Sequence, residues 1–594
     1  MDWNFHIVRV SGRRNGDDPG SAALEKEVSD VTTVRFAAAQ FFSGTDVEQN
    51  LATTIDWLRA AAAEGAQLLV TPENSNRVRD FTDREGAWEH AETLDGAYVS
   101  GLRQACAELG IHAAVGVDLR GEAKPDVHIG QVLIGPDGSI IKVHRKHIFW
   151  DYEYTLFVPG TEPVEAVDTE LGRLGLLMCA DGIVPEVPRL LALDGAQVLL
   201  NSLNSRGPDE HRLHVPQRAL ENRVWHVSAN TVGGPADAYP WMGGSQVVDP
   251  DGVVHASAAE MGEQLVWADV DIEAADNKVA PVQGDVFAVR RPDLYNELTW
   301  PVGDVPVAAM YGPAGEMAST LVAVAPLQVS WFHNREWTIT RALGQIAYAA
   351  SRNIQLGVLP ELFCFERGEV EADPRAAAEL SASVLGRLRA SAAAHGIRVV
   401  AHLVEADSDA LYSTAWLIGP DGEIELRYRR AHLTPAELEW ATPGDDITVV
   451  QTRIGRIGLM IGTEVWIPEM ARLLTLEGAE IIAHPTDWDR REAATTAAVQ
   501  RTEENRVHLV SSTRLDNPAG LGSQVVEADE FVPGQPIALM RFPTAWTCRP
   551  GFEEQMKVEL DLRGSNSKVQ GLNLDPVATR QPHIYAPLSA TTSK

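Results

Sequence analysis

The stretch GLLMCADGIVPE, residues 175–186, joins an apolar strand to the start of a helix, with a cysteine between them. The Leu-rich run before Cys179 is typical of a buried strand, and Pro185 is typical of the first turn of a helix. The residues between them therefore predict a sharp elbow with the thiol at its apex. A thiol in that place is expected to be exposed, and the nearby helix N-terminus favours its thiolate form.

Two further reactive side chains stand at the ends of predicted strands. Glu73 ends the run LLVTPE, and Lys146 ends the predicted hairpin LIGPDGSIIKVHRK, which turns at its Pro-Asp-Gly sequence. Such strands alternate with Ala-rich amphipathic stretches along the chain, which predicts an α/β fold with at least one hairpin-bearing sheet in each half. Strand ends are where scaffolds present catalytic groups, so these residues are candidates for chemistry.

The chain contains the same pattern twice. Gln40 and Gln328 end similar strands 288 positions apart, and Glu73 and Glu361 follow later strands at the same separation. Further pairs recur in the same order with small changes of offset, as short loop insertions and deletions would produce. These pairs are LIGPDG at 133 and 417, QRALENRV at 217 with QRTEENRV at 500, GSQVV at 244 and 522, and RRPDLY at 290 with RQPHIY at 580.

This repeat predicts the domain organisation. We expect an N-terminal tail at 1–30, a first domain at 31–300, a Gly/Pro-rich linker at 301–317 and a second domain at 318–590. A chain of 594 residues is long enough to give each domain its own core.

Composition excludes several classes of protein. The formal net charge is −33, from 50 Lys and Arg against 83 Asp and Glu, which argues against binding to nucleic acid or to an anionic membrane surface. The four cysteines are scattered without a CxxC pair, so a disulfide framework or a cysteine zinc cage is not expected. The first twenty residues lack the apolar core of a signal peptide, and no uninterrupted apolar stretch approaches the ~20 residues of a membrane span. We therefore expect a cytoplasmic protein.

Together these motifs resemble the nitrilase, or carbon–nitrogen hydrolase, superfamily. The Pro-Glu after a strand, the Arg-Lys before an apolar turn and the Cys-x-x-x-x-x-Pro-Glu elbow occur in the family's order, and Glu153 lies seven residues before Gly160 as the family's second glutamate does. The resemblance covers both halves. It implies a four-layer α-β-β-α sandwich for each domain and a mechanism without a cofactor or a metal.

The resemblance also implies roles for the residues of the first half. Cys179 would attack an amide carbon, and Glu73 would take the thiol proton and later activate water. Lys146 would place a cation where the oxyanion develops, helped by the backbone N–H of Ala180. Glu153 would orient Lys146 or the substrate amide.

Further residues are candidates for lining the substrate pocket. By their position in the family pattern, Asn201 and Asn204 follow the strand after the elbow helix and are expected at the pocket. The aromatic pair Phe149 and Trp150 follows Lys146, and the sequence leaves open whether this pair forms a pocket wall or part of the core.

The second half departs from the family pattern. Glu361 and Glu437 are kept, but Arg430 replaces the lysine and Gly462 stands where the thiol should be. Glycine cannot act as a nucleophile, so the second half is predicted to be a catalytically inactive pseudoenzyme domain. We expect it to replace the partner subunit of a dimer, giving a fused pseudo-dimer that could assemble into a further homo-oligomer. The alternative is a sensor domain that binds a ligand through the retained charges.

Several functions remain open at this stage. The leading hypothesis is an amidase that releases ammonia or an amine from a small-molecule amide. The alternatives are an N-carbamoyl (ureido) or nitrile hydrolase, an acyltransferase, and a non-catalytic scaffold. No arginine lies in 180–184, where carbamoyl-amino-acid hydrolases place one for a carboxylate. A metal centre on the pairs His144–His147 or His211–His214 is not favoured, because no third ligand or HExxH motif is present.

Overall fold

The computed structural model divides into two compact units, Met1–Lys278 and Val279–Lys594. It describes residues 33–150, 152–234, 241–310, 319–329, 331, 333–528, 543–570 and 574–591. The predicted N-terminal tail at 1–30 lies outside these residues, as do 311–317 of the predicted linker.

Unit 1 is built on two six-stranded sheets. In its described residues, the strands are β1 Thr33–Gln40, β2 Leu68–Val70, β3 His112–Arg120, β4 Val127–Ile134, β5 Ile140–Arg145, β6 Val167–Thr169, β7 Gly172–Met178, β8 Val198–Leu203, β9 Trp225–Asn230, β10 Val232–Gly233, β11 Trp241–Met242, β12 Gln246–Val248, β13 Val254–Ser257 and β14 Gln264–Asp271. The sheet orders are β14-β1-β2-β3-β4-β5 and β13-β12-β9-β8-β7-β6, and β10 pairs with β11. Strands β1, β2 and β3 are parallel to one another, as are β7, β8 and β9, while β4 and β5 form the predicted hairpin.

Helices cover the outer face of each sheet. In the described residues of unit 1 they are α1 Val47–Ala63, α2 Arg84–His90, α3 Ala97–Leu109, α4 Glu153–Leu156, α5 Glu186–Leu193 and α6 Val215–Asn222. Helix α3 ends at Leu109 and is capped by Gly110, whose φ of 65° closes the helix before β3 begins. Helices α1 and α3 pack on the first sheet, and α5 and α6 pack on the second.

The side chains of β1 alternate between two faces, and this alternation explains the order of the layers. Phe36 and Ala38 face the second sheet and contact a core that includes Leu176 and Leu200, whereas Ala37 and Ala39 face α1 and α3. Successive side chains of a strand point to opposite faces, so the apolar run at 36–39 must be covered on both. The order of layers is helix, sheet, sheet, helix, which confirms the predicted four-layer sandwich.

Unit 2 repeats this architecture. In its described residues, the strands are β15 Val279–Ala280, β16 Gly284–Asp285, β17 Leu321–Pro326, β18 Leu356–Val358, β19 Arg398–Asp407, β20 Ala410–Ile418, β21 Ile424–Arg429, β22 Val449–Thr452, β23 Gly455–Leu459, β24 Ile481–Pro485, β25 His508–Ser512, β26 Gln524–Glu527, β27 Thr544–Thr547 and β28 Val558–Asp561. The helices are α7 Arg335–Ser351, α8 Glu369–Ala372, α9 Pro374–His395, α10 Pro435–Leu438, α11 Pro468–Leu476, α12 Ala498–Asn505, α13 Arg563–Asn566 and α14 Ala586–Ser589. Its six-stranded sheets have the orders β21-β20-β19-β18-β17-β28 and β22-β23-β24-β25-β26-β27, so the order of layers is that of unit 1.

The segment that follows Lys278 packs within unit 2, although it continues the first sequence repeat. Arg290 donates to the buried Glu469 through Nε at 2.8 Å, and the hydroxyl of Tyr295 hydrogen-bonds with Nε2 of His432 at 2.8 Å. The motif RRPDLY that closes the first repeat is therefore anchored in the second unit.

None of the helices in the described part of the chain has the length and apolar character needed to cross a membrane.

Candidate active site

The elbow at Cys179 has the predicted form. Strand β7 ends at Met178, a short 3-10 turn covers Cys179–Gly182, and α5 begins four residues later. The φ of Cys179 is 50°, a left-handed conformation that is strained for any residue other than glycine. Its backbone N–H donates to Oδ1 of Asn201 at 3.0 Å, so the end of the neighbouring strand β8 holds the strained turn in place.

The thiol is not exposed, and the expectation from the sequence was wrong on this point. Cys179 is 8% exposed and packs among Leu203, Val215, Ala219 and Val248, which come from β8, α6 and β12. Burial raises the pKa of the Cys179 thiol well above its usual range, and nearby Glu73 adds to the rise while Lys146 opposes it. The resting group is therefore a thiol that needs a base to remove its proton.

Glu73, Lys146 and Glu153 meet beside this elbow. Nζ of Lys146 lies 3.2 Å from Oε1 of Glu73 and 2.9 Å from Oε2 of Glu153, and all three side chains are buried. Glu73 follows β2, and its backbone N–H donates to the carbonyl of Leu203 at the end of β8. Because the relevant strands of both sheets end at this edge, the structure brings together the side chains that the sequence places at strand ends.

The charges of the site settle which groups are ionised. Burial opposes ionisation of Glu73, but Lys146 and Arg79 outweigh burial and lower its pKa, and a hydrogen bond from the Cys179 thiol contributes in the same direction. Burial also opposes the charge on Lys146, yet Glu153 and Glu73 raise its pKa, so the lysine is an ammonium. An ionised carboxylate thus faces a neutral thiol with a fixed cation between the two glutamates.

Glu153 holds Lys146 from the far side. It begins α4, accepts a hydrogen bond from the backbone N–H of Trp150 at 2.8 Å, and pairs with Arg79 at 2.9 Å as well as with Lys146. Burial raises the pKa of Glu153, and Glu73 raises it further. This is the contact that an orienting role toward Lys146 requires.

The predicted pocket residues take different places. Asn201 is buried and supports Cys179, while Asn204 lines a cavity of about 10 Å³ together with Glu73 and Trp241. Ala180 is buried in the turn directly after the cysteine. Trp150 is half-buried beside Glu153, whereas its neighbour Phe149 is fully buried in the apolar cluster of Phe157 and Met178, so the pair does not act as one wall.

Asp181 is a residue whose role the sequence did not reveal. Its carboxylate accepts hydrogen bonds from Nε2 of His144 at 2.7 Å and from the backbone N–H groups of His147 and Ile148 at 2.9 Å each. Although burial opposes its charge, these partners lower the pKa of Asp181. It therefore ties the segment that carries Lys146 to the elbow that carries Cys179.

Three of the four histidines in these pairs, His144, His147 and His211, have a protein partner at Nε2. His144, His147 and Asp181 are buried with ligand atoms within 4.8 Å of one another. Nε2 of His144 bonds to Asp181, and Nε2 of His147 bonds to the carbonyl of Glu162 at 2.9 Å, so these ring nitrogens already have protein partners. His211 lies on a π-helical turn and pairs with Glu260 at 3.0 Å.

Arg79 and Asp118 were also missed. Arg79 is buried and contacts Glu73, Glu153 and Asp118, the last at 3.1 Å through Nη2. No motif of the family resemblance includes either residue. One signal was available in the sequence: an arginine occurs six positions after the glutamate in both repeats, Arg79 after Glu73 and Arg367 after Glu361.

In unit 2 the counterpart of the elbow is kept, with Gly462 in the position of the cysteine. Gly462 has a φ of 49°, close to that of Cys179, and a Cβ on it would lie 2.6 Å from Oε2 of Glu361. Nη1 of Arg430 lies 2.8 Å from Oε1 of Glu437 and 3.4 Å from Oε1 of Glu361. Burial raises the pKa of Glu361 to about 8, so this carboxyl is largely protonated at neutral pH. The predicted second-site residues thus meet, with the Glu361 carboxyl filling the space where a side chain on residue 462 would begin.

A family model described as carbon-nitrogen hydrolase matches the chain twice, at residues 35–277 and 321–513. The chain belongs to the carbon–nitrogen hydrolase family. The two matches confirm the tandem arrangement that the sequence repeat predicts, with one carbon–nitrogen hydrolase domain in each half.

Individual relatives match over less than half of this tandem carbon–nitrogen hydrolase. A nitrilase from Pyrococcus abyssi is 30% identical over 250 residues, which are 42% of this chain and 93% of the relative. The human deaminated glutathione amidase is 30% identical over 284 residues, 45% of this chain and 85% of that protein. Among solved structures, a variant of the Nesterenkonia AN1 amidase from the nitrilase superfamily is 25% identical with a TM-score of 0.38, over 43% of this chain and 97% of that chain.

Proposed function

We propose that the first domain is an amidase that hydrolyses a small carboxamide through a thioester on Cys179. The observation that carries this proposal is the position of Lys146, whose ammonium bridges Glu73 and Glu153 beside the buried thiol. The names of relatives as amidases, and membership in the family, support the same reaction class.

In the first step, Glu73 takes the proton of Cys179 as Sγ attacks the carbonyl carbon. A buried thiol with a raised pKa is a poor nucleophile until this transfer takes place, and Glu73 is ionised and ready to accept the proton. The developing oxyanion lies within the field of the Lys146 ammonium and the backbone N–H of Ala180. Glu73 then returns the proton to the nitrogen, and ammonia or an amine leaves as the thioester forms.

Hydrolysis of the thioester uses the same base. Glu73 removes a proton from water as its oxygen attacks the thioester carbon, the C–S bond breaks, and Cys179 regains a proton as the carboxylic acid leaves. An amine in place of water would give acyl transfer instead. The cavity beside Glu73 is about 10 Å³, close to the space that one water molecule needs.

One observation bears on the charge of the substrate. The guanidinium of Arg206 lies 4.3 Å above the ring of Trp241, which lines the cavity with Glu73. Within the described part of the chain, Arg206 forms no ion pair, unlike Lys146 and Arg79. It is therefore a cation at the rim of the site that an anionic group on the substrate could pair with, and it offsets the absence of an arginine in 180–184. This favours an amide or ureide that also carries a carboxylate.

The second domain is proposed to be catalytically inactive. Gly462 provides no nucleophile, and the protonated Glu361 fills the adjacent space, which also leaves little room for a ligand at that point. The fused pseudo-dimer remains a prediction from the repeat.

The experiment is an assay of ammonia release from amides, nitriles and ureides, each offered with and without a carboxylate. We expect turnover of at least one amide, loss of turnover in Cys179→Ala, and a mass increase on Cys179 when the acyl-enzyme is trapped by acid quenching. Cys106→Ala, which alters a buried cysteine in α3, is the matched control and should retain turnover. Turnover that survives in Cys179→Ala would overturn the mechanism, and turnover of nitriles alone would replace the amidase assignment.

A further inference from the structure

Both repeats have an arginine at the same position, but the surroundings of the two arginines differ. Arg79 and Arg367 each lie six residues after a glutamate, Glu73 or Glu361, that follows the second strand of a sheet. Their side chains nonetheless pair with different acids, and the difference is explained by residues on neighbouring strands.

Arg79 is directed into the catalytic centre. Its Nη1 lies 2.9 Å from Oε1 of Glu153, and its Nη2 lies 3.1 Å from Oε1 of Glu73 and 3.1 Å from Oδ1 of Asp118. Nη2 also donates to Oδ1 of Asn74 at 2.6 Å. Only 4% of the side chain is exposed, so these contacts replace water almost completely.

Arg367 is directed away from the corresponding centre. It donates to Asp487 through both Nη atoms and to the carbonyl of Asp516 at 2.8 Å, and 44% of its side chain is exposed. Nη1 of Arg430 is the guanidinium nitrogen that pairs with Glu361 and Glu437.

The strand registers show that the acids have been exchanged. His112 pairs with Leu68 in unit 1 as Arg398 pairs with Leu356 in unit 2, which aligns Asp118 with Val404. In the second sheets, Val198 pairs with Leu174 as Ile481 pairs with Ile457, which aligns Asn204 with Asp487. At the inner position, unit 1 has the acid Asp118 and unit 2 has Val404. At the outer position, unit 1 has the neutral amide Asn204 and unit 2 has the acid Asp487.

We propose that Asp118 is a positioning residue that holds Arg79 against Glu73 and Glu153, and that Arg79 is a second fixed cation of the catalytic centre. The inference rests on the proposed function for its role in catalysis. It concerns the ionisation of Glu73, which can be measured without any substrate.

Electrostatics supports a role beyond packing. Three buried carboxylates, Glu73, Glu153 and Asp118, face two cations, Lys146 and Arg79, and an arginine keeps its charge at every working pH. The remaining groups around them are the Cys179 thiol, the phenol of Tyr152 and the ring of Phe157, whose centroid is 4.6 Å from the guanidinium carbon.

The equivalent glutamates differ as this arrangement requires. The pKa of Glu73 is lowered by Lys146 and Arg79 in spite of burial. Burial raises the pKa of Glu361 to about 8, where Glu437 and Asp487 add to the rise and Arg430 and Arg514 oppose it. Loss of Arg79 from the site should therefore raise the pKa of Glu73, and a protonated Glu73 cannot accept the thiol proton.

The test uses the full chain and the rate at which iodoacetamide alkylates Cys179, followed by mass spectrometry across pH. Asp118→Asn keeps an acceptor without the charge, Asp118→Val copies the second repeat, and Asn204→Asp offers Arg79 the outward acid. We expect the low-pH limb of the alkylation profile to move to higher pH, by about 1 to 2 pH units in Asp118→Val and by less in Asp118→Asn. The largest shift is expected in the double variant that combines Asp118→Val with Asn204→Asp. Glu122→Gln removes an exposed carboxylate of the same domain and should leave the profile unchanged.

Each outcome decides the inference. An upward shift of the limb in Asp118→Asn, with unaltered thermal unfolding, supports it even if Asp118→Val fails to fold. A limb that stays in place or moves downward in folded Asp118→Asn would overturn it, because removal of the Asp118 charge by itself lowers the pKa of Glu73. If the wild-type protein releases no ammonia from any amide or ureide while the alkylation limb still shifts, the proposed function fails and the positioning role stands.

Discussion

Oε2 of Glu361 lies where a side chain on residue 462 would begin, since a Cβ added to Gly462 would stand 2.6 Å from that oxygen. Real Cβ atoms do not approach other heavy atoms so closely, so either the carboxyl or the turn would have to move. The absence of a side chain at residue 462 and the placement of the Glu361 carboxyl are therefore linked in the second domain.

This link predicts that restoring the cysteine does not restore the second site. Gly462→Cys in a Cys179→Ala background is expected to show no ammonia release and a lower melting temperature, because the new side chain meets Glu361 and adopts a φ of 49° that costs a non-glycine residue about 1 kcal/mol or more. Turnover by this double variant would contradict the prediction and show that a cysteine at residue 462 is sufficient for activity in the second domain.

Lys146 should matter for both stability and rate. Lys146→Met leaves two buried glutamates with Arg79 alone, so we expect unfolding free energy to fall by about 3 kcal/mol and ammonia release to be lost. Lys142→Met changes a half-buried lysine of β5, the strand that ends one residue before Lys146, and is the matched control for urea unfolding and turnover. Equal stability of the two variants would contradict the proposed burial of the charge cluster.

Buried histidines make stability depend on pH. Burial lowers the pKa of His226 to about 3, well below the value near 6.5 of an unfolded chain. The same holds, with values of about 3 or 4, for three histidines of unit 2: His402, His484 and His508. A pKa that is lower in the folded state gives stability that is present above pH 6.5 and is lost as the pH falls.

The magnitude follows from this difference. Each such histidine should reduce the unfolding free energy by about 1 kcal/mol between pH 7.5 and pH 5.5. Urea unfolding at both pH values should show a smaller loss in His226→Gln than in the wild type, whereas His90→Gln, at an exposed position of α2, should leave the loss unchanged. Stability that rises as the pH falls would contradict the buried, neutral state of His226.

Arg206 should discriminate between substrates by charge. If the guanidinium over Trp241 pairs with a carboxylate, Arg206→Gln raises KM for a carboxylate-bearing amide by about tenfold, as the loss of one charged hydrogen bond would, and leaves KM for a neutral amide of similar size unchanged. Arg59→Gln, on the exposed face of α1, is the control. Equal changes for the two amides would remove Arg206 from substrate recognition.

The sequence was sufficient for residues that belong to a strand end. Glu73 and Cys179 follow runs whose apolar pattern identifies buried strands, and Lys146 ends a hairpin marked by its Pro-Asp-Gly turn. Strands of one sheet present their ends at one edge, so the meeting of these residues could be predicted. The repeat gave the tandem sandwiches for a similar reason, because equivalent apolar patterns form equivalent layers.

The features that were missed depend on contacts between distant segments. Cys179 is covered by Leu203 and Val215, 24 and 36 positions further along the chain, and nothing in the elbow itself encodes that cover. Asp118 lies near the end of β3, where a lone acid in an apolar strand has no motif to mark it. Its partner Arg79 is 39 positions away, and only the folded sheet brings the two together.

The anchoring of RRPDLY in unit 2 determines where the chain can be divided into two parts. A gene divided at the end of the first sequence repeat would leave one product without Arg290 and Tyr295, the partners of Glu469 and His432, and the other with a tail that has lost its docking site. The first sequence repeat therefore extends past the end of the first folded unit by the segment that contains RRPDLY. A division after Lys278, at the boundary between the two units, would keep this motif with its partners.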